Sequence, residues 1–487
     1  MKRMGVIAVS AALALGAVGA AGYYGIRSAG ESKARQMIAA FQSSLPPGTT
    51  FEYRDLVVSP TGLSLTLSDV TFANPAEQMT ASLASLALSN PGFSGTKVQT
   101  IDIGFSKLDL ALTRPDATLT TTVRQASFDD VDIANSIAFA KRMKGAATLA
   151  DIEPAAFSAL DAGPVDLRDF SLSVPATGVN ATLGKMTLEG ITAGRMGKLA
   201  YEDYDLRTSD GMLHMGSLAL DGLDLSRALR WAQQTQAQQA RGEPPTFDVL
   251  GLRSIEAKGL ALTSRERSVA LDRFALADLE SDRGMLVRAT LAVEGFQVPA
   301  AQVAEPTRSF LEGQGLDRLA VDLAFAHRLD GATQSLSLGP LAINGGPLGK
   351  ASASLSLTGL DAPMLLAAAR RPEALLDSAR LDGFSIASTA GPLTAAYADL
   401  LLAQQGLTRA DLAAMVNAQG GQELGTILGP DLGGRLVGAL TAFIENPKAF
   451  SLSVKAKQGP MNLTQLGMGL ALVPQRVVAA YDITVGP

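Results

Sequence analysis

Gly345-Gly346-Pro347-Leu348-Gly349-Lys350-Ala351 is the stretch that comes nearest to a chemical motif, the glycine-rich loop that cradles phosphate. Its spacing is one residue short from Gly345, it carries a rigid proline, and Ala351 stands where a hydroxyl would meet Mg²⁺. A turn between two strands is the expected reading. Gly92-Phe93-Ser94-Gly95 lacks the spacing of a nucleophile elbow and has no nearby histidine to act as base. Asp129-Asp130-Val131-Asp132 and Glu202-Asp203-Tyr204-Asp205 have the carboxylate density of a divalent-cation site. Both are expected to be solvated strand edges, where charge discourages pairing with another chain.

The two histidines, His214 and His327, form no metal-spaced pair. His214 lies between Leu213 and Met215 in an alternating stretch, so it is expected to point away from the apolar face; both are read as surface residues. The absence of cysteine excludes disulfides, thiolate metal sites and cysteine nucleophiles. No catalytic, cofactor-binding or metal-binding residue is assigned, and a non-enzymatic protein without a cofactor is expected.

A chain of 487 residues with 47% hydrophobic and only 18% charged residues must place much apolar surface in a core or against an apolar ligand. Mean hydropathy is +0.19. A net charge of −6 with no basic stripe argues against a nucleic-acid partner.

Lys2 and Arg3 precede an uncharged run from Gly5 to Ile26, long enough to cross a hydrocarbon core of roughly 30 Å. Tyr23 and Tyr24 sit where an interfacial aromatic belt would fall, which favours a retained anchor with the N-terminus in the cytoplasm. The alternative is a cleaved signal peptide ending near Val18-Gly19-Ala20. On either reading the body is exported. A stalk helix is expected over Glu31–Leu45, with Met37, Ile38, Phe41 and Leu45 on one face and Pro46-Pro47-Gly48 ending it.

From Phe51 onward the pattern has period two, as in Leu63-Ser64-Leu65-Thr66-Leu67. It slips by one residue at a recurring signature, an apolar residue, any residue, Asp or Gly, then apolar again. Copies centre on Asp69, Asp130, Asp169, Gly190, Gly222, Gly259, Asp278, Gly295, Gly359 and Gly383. An extra residue flips the apolar face unless the backbone absorbs it, and Gly and Asp are suited to the dihedrals required. Each copy is therefore expected to be a bulge or tight bend.

Helical patterns interrupt the strands at Ile133–Lys144, Ser226–Arg241, Ala362–Asp377, Thr394–Gln419 and Leu432–Ile444. Trp231, in the Gln-rich second of these, is expected to be a packing anchor. Strands return at Ala449–Ala456 and Val477–Val485. The expected fold is mainly β with several helices: a transmembrane helix followed by an elongated, twisted antiparallel body of irregular bulge-containing repeats, groove-like or sandwich-like. The expected organisation is an anchor (1–27), a stalk (28–48), a first β region (49–225), a polar helical linker (226–246), a second β region (247–390) and a mixed C-terminal region (391–487).

The anchor with its stalk, the repeated strand motif, and the ending Asn446-Pro447-Lys448-Ala449-Phe450-Ser451-Leu452-Ser453-Val454 with Gly459-Pro460-Met461 and Val473-Pro474 together resemble the AsmA-like and YdgA-like bacterial envelope proteins. The resemblance spans the chain in organisation and rests on short, degenerate motifs. It implies an inner-membrane-anchored protein with a periplasmic β body; in AsmA-like relatives that body is a groove associated with phospholipid transport and envelope homeostasis. Partners on this reading are the inner membrane, phospholipids and other envelope proteins. Were a groove present, Leu172, Leu220, Leu225, Leu262 and Phe296 are expected among its lining residues. The alternative is a scaffold whose strands close on a dry core.

Overall fold

The computed structural model describes residues 30–486 apart from 33, 37, 44, 62, 95–96, 114–116, 133–134, 136–151, 242–249, 266, 283–284, 369–370, 372 and 458. The expected membrane segment and the expected helix at Ile133–Lys144 (all but Asn135) lie outside the described residues. Among the described residues no helix is long and apolar enough to cross a membrane. The chain divides into two compact units, Met1–Glu266 and Arg267–Pro487. Both are mainly β, with every strand pairing antiparallel.

The N-terminal unit is a meander. Its strands are β1 (Thr50–Glu52), β2 (Asp55–Val58), β3 (Ser64–Asn74), β4 (Met79–Ser94), β5 (Lys97–Thr113), β6 (Thr118–Asp132), β7 (Val165–Val174), β8 (Val179–Leu188), β11 (Lys198–Arg207), β12 (Gly211–Asp221) and β13 (Ser254–Ser264). Each pairs with the next in that order, except that β1 and β2 both pair with the same edge of β3. A small hairpin, β9 (Ile191–Thr192) with β10 (Arg195–Met196), lies outside this sheet. Hairpin geometry follows from local chemistry. Pro75 and Pro175 each open a tight helical turn that closes on a left-handed residue, Gln78 and Gly178.

The described residues between 30 and 43 are helical where the stalk helix is expected, with Leu45 already outside the helix, and Ala34 and Ile38 pack on the sheet. Ala34 and Ile38 share one buried cluster with Phe51, Leu56, Leu65, Leu67, Val70, Leu86, Leu88, Ile101 and Ile103, with Phe41 and Leu45 packed against it. Phe41 meets Phe51 edge-on at 5.4 Å, a favoured aromatic geometry.

The sequence signature has a physical counterpart. Nine of its ten Gly or Asp positions have positive φ, from 47° at Asp69 to 132° at Gly190. Gly383 is the exception and lies beside a one-residue shift in register. The signature is not one device, however. Gly222 and Gly359 end strands, and Asp130 and Asp278 accompany register irregularities.

Asp69, Asp169 and Gly259 belong to something larger. Ser68 pairs with Ser85 and Val70 with Leu83, so Asp69 and Ala84 drop out of the ladder together and the register continues unchanged. The same joint omission recurs at Ala84/Lys107, Lys107/Arg124, Arg124/Asp169, Asp169/Gly184, Gly184/Asp203, Asp203/Gly216 and Gly216/Gly259. A single crease therefore crosses the sheet from β3 to β13. Asp69, Lys107, Asp169, Asp203 and Gly259, on every second strand, are left-handed. Because neighbouring strands spend the extra residue at the same level, they change parity together and the apolar face is continuous across the line. Arg54–Asp69 (2.8 Å) and Arg124–Asp169 (2.9 Å) are exposed ion pairs along it, each worth about 0–1 kcal/mol.

The crease reverses ordinary strand preferences. Left-handed backbone costs an L-residue roughly 1–2 kcal/mol, more when the side chain is β-branched. Asp169→Val is expected to lower the N-terminal unit's stability by about 2 kcal/mol, with Asp169→Gly staying within about 0.5 kcal/mol of the parent. Urea unfolding of the two variants checks this; valine outperforming glycine would refute it.

The C-terminal unit is a second meander: β14 (Ser268–Asp282), β15 (Met285–Pro299), β16 (Arg318–Asp330), β17 (Ser335–Asn344), β18 (Gly349–Thr358), β19 (Arg380–Ala390), β20 (Ala449–Ala456) and β21 (Tyr481–Gly486). Leu329, Leu336 and Leu357 form its buried cluster with Leu360, Ala362 and Ala379, under the helices Ala362–Ala368 and Glu373–Ser378. The expected helix at 362–377 is thus two helices. The helical stretch expected at 394–419 is also divided, into Thr394–Ala403 and Arg409–Met415, the latter running through a wider π turn at Val416–Gly420 into Gly421–Leu428. Arg409 ties these together, donating to Asp399 at 2.6 Å and to the Glu445 carbonyl at 2.8 Å. One strand assignment is corrected: Pro474–Ala479 is helical, so β21 begins at Tyr481 rather than at Val477. Proline at the first helical position favours that start.

Candidate functional site

Four apolar rows run across the N-terminal sheet. Beside the crease lie Leu67–Leu86–Phe105–Ala126–Leu167–Met186–Tyr201–Leu218–Ala257 and Val70–Leu83–Leu108–Val123–Phe170–Leu183–Tyr204–Met215–Leu260. Farther out lie Leu65–Leu88–Ile103–Phe128–Val165–Leu188–Leu199–Leu220–Ile255 and Phe72–Ala81–Leu110–Thr121–Leu172–Ala181–Leu206–Leu213–Leu262. The opposite face is polar, as in the row Thr71–Ser82–Asp109–Thr122–Ser171–Thr182–Asp205–His214.

The apolar face changes character along its length. Over β3–β5 Leu65, Leu67, Val70, Leu86, Leu88 and Ile103, half of the row residues there, are buried in the cluster that includes the stalk helix. From β7 to β13 nearly all are only half-buried, and Leu262 is 47% exposed. No charged side chain occupies these four rows.

Three of the expected lining residues, Leu172, Leu220 and Leu262, fall on this face, in β7, β12 and β13. Leu225 does not share a row with them; it opens the helix Leu225–Ala240, whose cap is Asp224. Phe296 belongs to the C-terminal unit, where it pairs with Val321 and is 37% exposed. There Leu341 (42%), Ile343 (46%) and Ile386 (37%) are exposed as well. Ile343 also borders a hollow of about 380 Å³ lined by Ala292, Ala324, Ala342 and Ala387, with Asp322 and Lys350 among its polar walls. Asp322 is already engaged, accepting from the Gly295 amide and from Asn344, each at 2.8 Å.

Sequence reasoning missed Tyr201 and Tyr204, which stand on β11 on either side of the crease. Tyr201-Glu202-Asp203-Tyr204-Asp205-Leu206 is a copy of the strand signature with tyrosines in its apolar places, and Asp203 has φ 55°. The signal was present but obscured by the acidic residues around it. Burial raises the Tyr201 phenol above its usual range.

The other motifs resolve into structure. Of the stretch Gly345–Ala351, Gly345–Leu348 is the β17–β18 turn and Gly349–Ala351 opens β18, the turn being closed by the Gly345 amide donating to the Gly349 carbonyl at 2.8 Å. Among the described residues no group of three or more His, Asp or Glu is arranged to hold a metal. Asp102 accepts from the Asp130 amide and from Asn90, and Asp132 accepts from the Asn135 amide. His214 lies on the polar face, as expected, 2.9 Å from Asp205. His327 is half-buried rather than a surface residue, its Nε2 2.9 Å from the Leu286 carbonyl oxygen. Trp231 is half-buried in its helix.

Burial raises the Asp129 carboxyl above the ordinary range, assisted by the charges of Asp102, Asp130 and Asp166. The folded chain therefore holds this proton to higher pH than the unfolded chain. The resulting destabilisation is absent in acid and appears as pH rises through the folded value. Asp129→Asn is expected to raise the urea midpoint at neutral pH, with the gain vanishing at about pH 3, below the unfolded carboxylate value. A gain of the same size at both pH values would contradict this.

A family model described as "Uncharacterized protein" matches residues 342–486, which run from β17 to the end of β21. No curated protein matches the chain.

Proposed function

We propose that the chain is an exported, membrane-anchored envelope protein whose N-terminal unit binds phospholipid acyl chains along its creased apolar face. The observation carrying this reading is that six of the twelve row residues in β3–β5 are buried in the cluster with the stalk helix, whereas from β7 to β13 nearly all are only half-buried. The open stretch crosses five strands, a span of about 20 Å at the usual strand spacing. That length matches an extended acyl chain of about fifteen carbons, with each C–C bond advancing somewhat less than its roughly 1.5 Å length. At about 0.8 kcal/mol per buried CH₂ the gross gain is roughly 12 kcal/mol, of which about half is available when one side faces water.

The resemblance to AsmA-like and YdgA-like proteins supports the same reading, as does the N-terminal apolar run. A scaffold role is the second reading. It draws on the exposed apolar residues Met468 (56%), Leu472 (78%) and Val473 (47%) near the end of the helix Leu463–Leu472, which suit contact with another envelope protein.

Native mass spectrometry of the full chain, produced in a bacterium and released from detergent, tests the reading. Retained phospholipid is expected, and it should be lost in a still-folded Leu206→Asp, Leu220→Asp variant. A clean unliganded mass that takes up no added phospholipid would leave the scaffold reading.

A further inference from the structure

Five tyrosines lie among the described residues, and three of them are hydrogen-bonded within the chain. Tyr53 bonds Arg35, Tyr397 lies 2.9 Å from the Thr307 hydroxyl, and Tyr481 donates to the Leu381 carbonyl at 3.2 Å. Tyr201 and Tyr204 are the two for which the described residues supply no partner. They are also the pair that stands together on the apolar face, three positions apart on β11, in the rows flanking the crease. Their neighbours there are Leu183, Met186, Met215 and Leu218, so phenylalanine would serve for packing alone. A buried or half-buried phenol ordinarily finds an acceptor. Here two donors are presented side by side on a surface that is otherwise apolar.

We propose that Tyr201 and Tyr204 seat the polar end of the ligand, donating hydrogen bonds to the ester carbonyl oxygens of a glycerophospholipid whose acyl chains lie across β7–β13. The proposal rests on the lipid-binding reading of that face and deepens it. The acceptors are identified by charge as well as by position. The four rows hold no lysine or arginine, which a phosphate would require at close range. Neutral phenols suit neutral carbonyls. Two donors separated by roughly 10 Å or less of strand suit the two esters of one glycerol backbone, with the headgroup left toward water. The tyrosines would thereby fix where along the strip a lipid stops, which a uniformly apolar surface has no means to do.

The test uses the full chain in membrane vesicles and two photoactivatable probes. One is a diester phosphatidylglycerol with a diazirine in an acyl chain; the other is a diazirine-bearing alkane of the same length. Both should label β7–β13 peptides of the parent chain. The Y201F/Y204F double variant should lose about tenfold of the phospholipid adduct, the scale of one to two neutral hydrogen bonds, and keep the alkane adduct. Unchanged phospholipid labelling would overturn the tyrosines' role and leave the face as a lipid surface. Loss of both adducts would make them packing residues, which also overturns it. A parent chain labelled by neither probe on these strands would sink the lipid-binding face itself, and the tyrosine seat with it.

Discussion

A single methyl group at position 349 is expected to lower the stability of the C-terminal unit by about 3 kcal/mol or more. Gly349 has φ 104° and ψ −169°, a region that side chains other than hydrogen essentially never adopt. Space is lacking as well. A Cβ there would press on the Thr389 carbonyl oxygen and lie 2.7 Å from the Gly391 amide nitrogen. Those atoms cannot retreat, because they belong to a clasp between two turns. Thr394 Oγ1 donates to the Leu348 carbonyl at 2.6 Å and accepts from the Gly391 amide at 2.8 Å. Urea unfolding of Gly349→Ala checks the expectation, with Gly346→Ala as comparison; a Cβ at Gly346 also sits at positive φ but meets nothing within 4 Å. Equal costs at the two positions would show that the close packing around Gly349 is not real.

Ile101→Ala is expected to cost about 4 kcal/mol, near the top of the range for truncating a buried aliphatic side chain. Ile101 is fully buried in the cluster between the sheet and the stalk helix, beside Leu88 and Ile103. Leu220→Ala removes a similar volume from the half-exposed part of the same face and is expected to cost only about 1 kcal/mol. The contrast in denaturant midpoints measures whether the two ends of the face differ as described. Comparable losses would mean that β7–β13 is covered as well as β3–β5.

Much of the strand architecture was legible because its determinants are local. Period-two alternation located β3, β5 and β20, and the Gly or Asp signature located left-handed backbone at nine of ten positions. Lys107 is left-handed without belonging to the residue types that announce it, and tertiary context holds it there; Asn90 is of a favoured type but lies outside the signature. Asp203 escaped because tyrosine was not counted as apolar. The crease itself was not readable strand by strand. It depends on which residues stand opposite one another, and that is set by turns such as Pro75–Gln78 acting over many strands.

The candidate site divides in the same way. Leu172, Leu220 and Leu262 were found as apolar positions of the strand signature, and each faces the apolar side of its own strand. Leu225 was misplaced because the chain leaves β12 at Asp221, turns at Gly222 and enters a helix capped by Asp224. No local pattern told whether an apolar row is covered. Coverage of β3–β5 comes from Ala34 and Ile38, far away in sequence. The pairing of Tyr201 with Met186 and Leu218 was likewise a property of register rather than of composition.

The most direct test of the lipid-bearing face uses neighbours that differ only in which side of the sheet they occupy. Leu206 and Leu213 face each other on the apolar side, and Asp205 and His214 on the polar side, one residue away. Benzoylphenylalanine placed singly at these four positions in the full chain and photolysed in living bacteria, with mass spectrometry of the adducts, separates the two faces. Phospholipid adducts at 206 and 213, with none at 205 and 214, are the predicted result. Adducts at all four positions, or at none, would contradict a lipid-bearing apolar face.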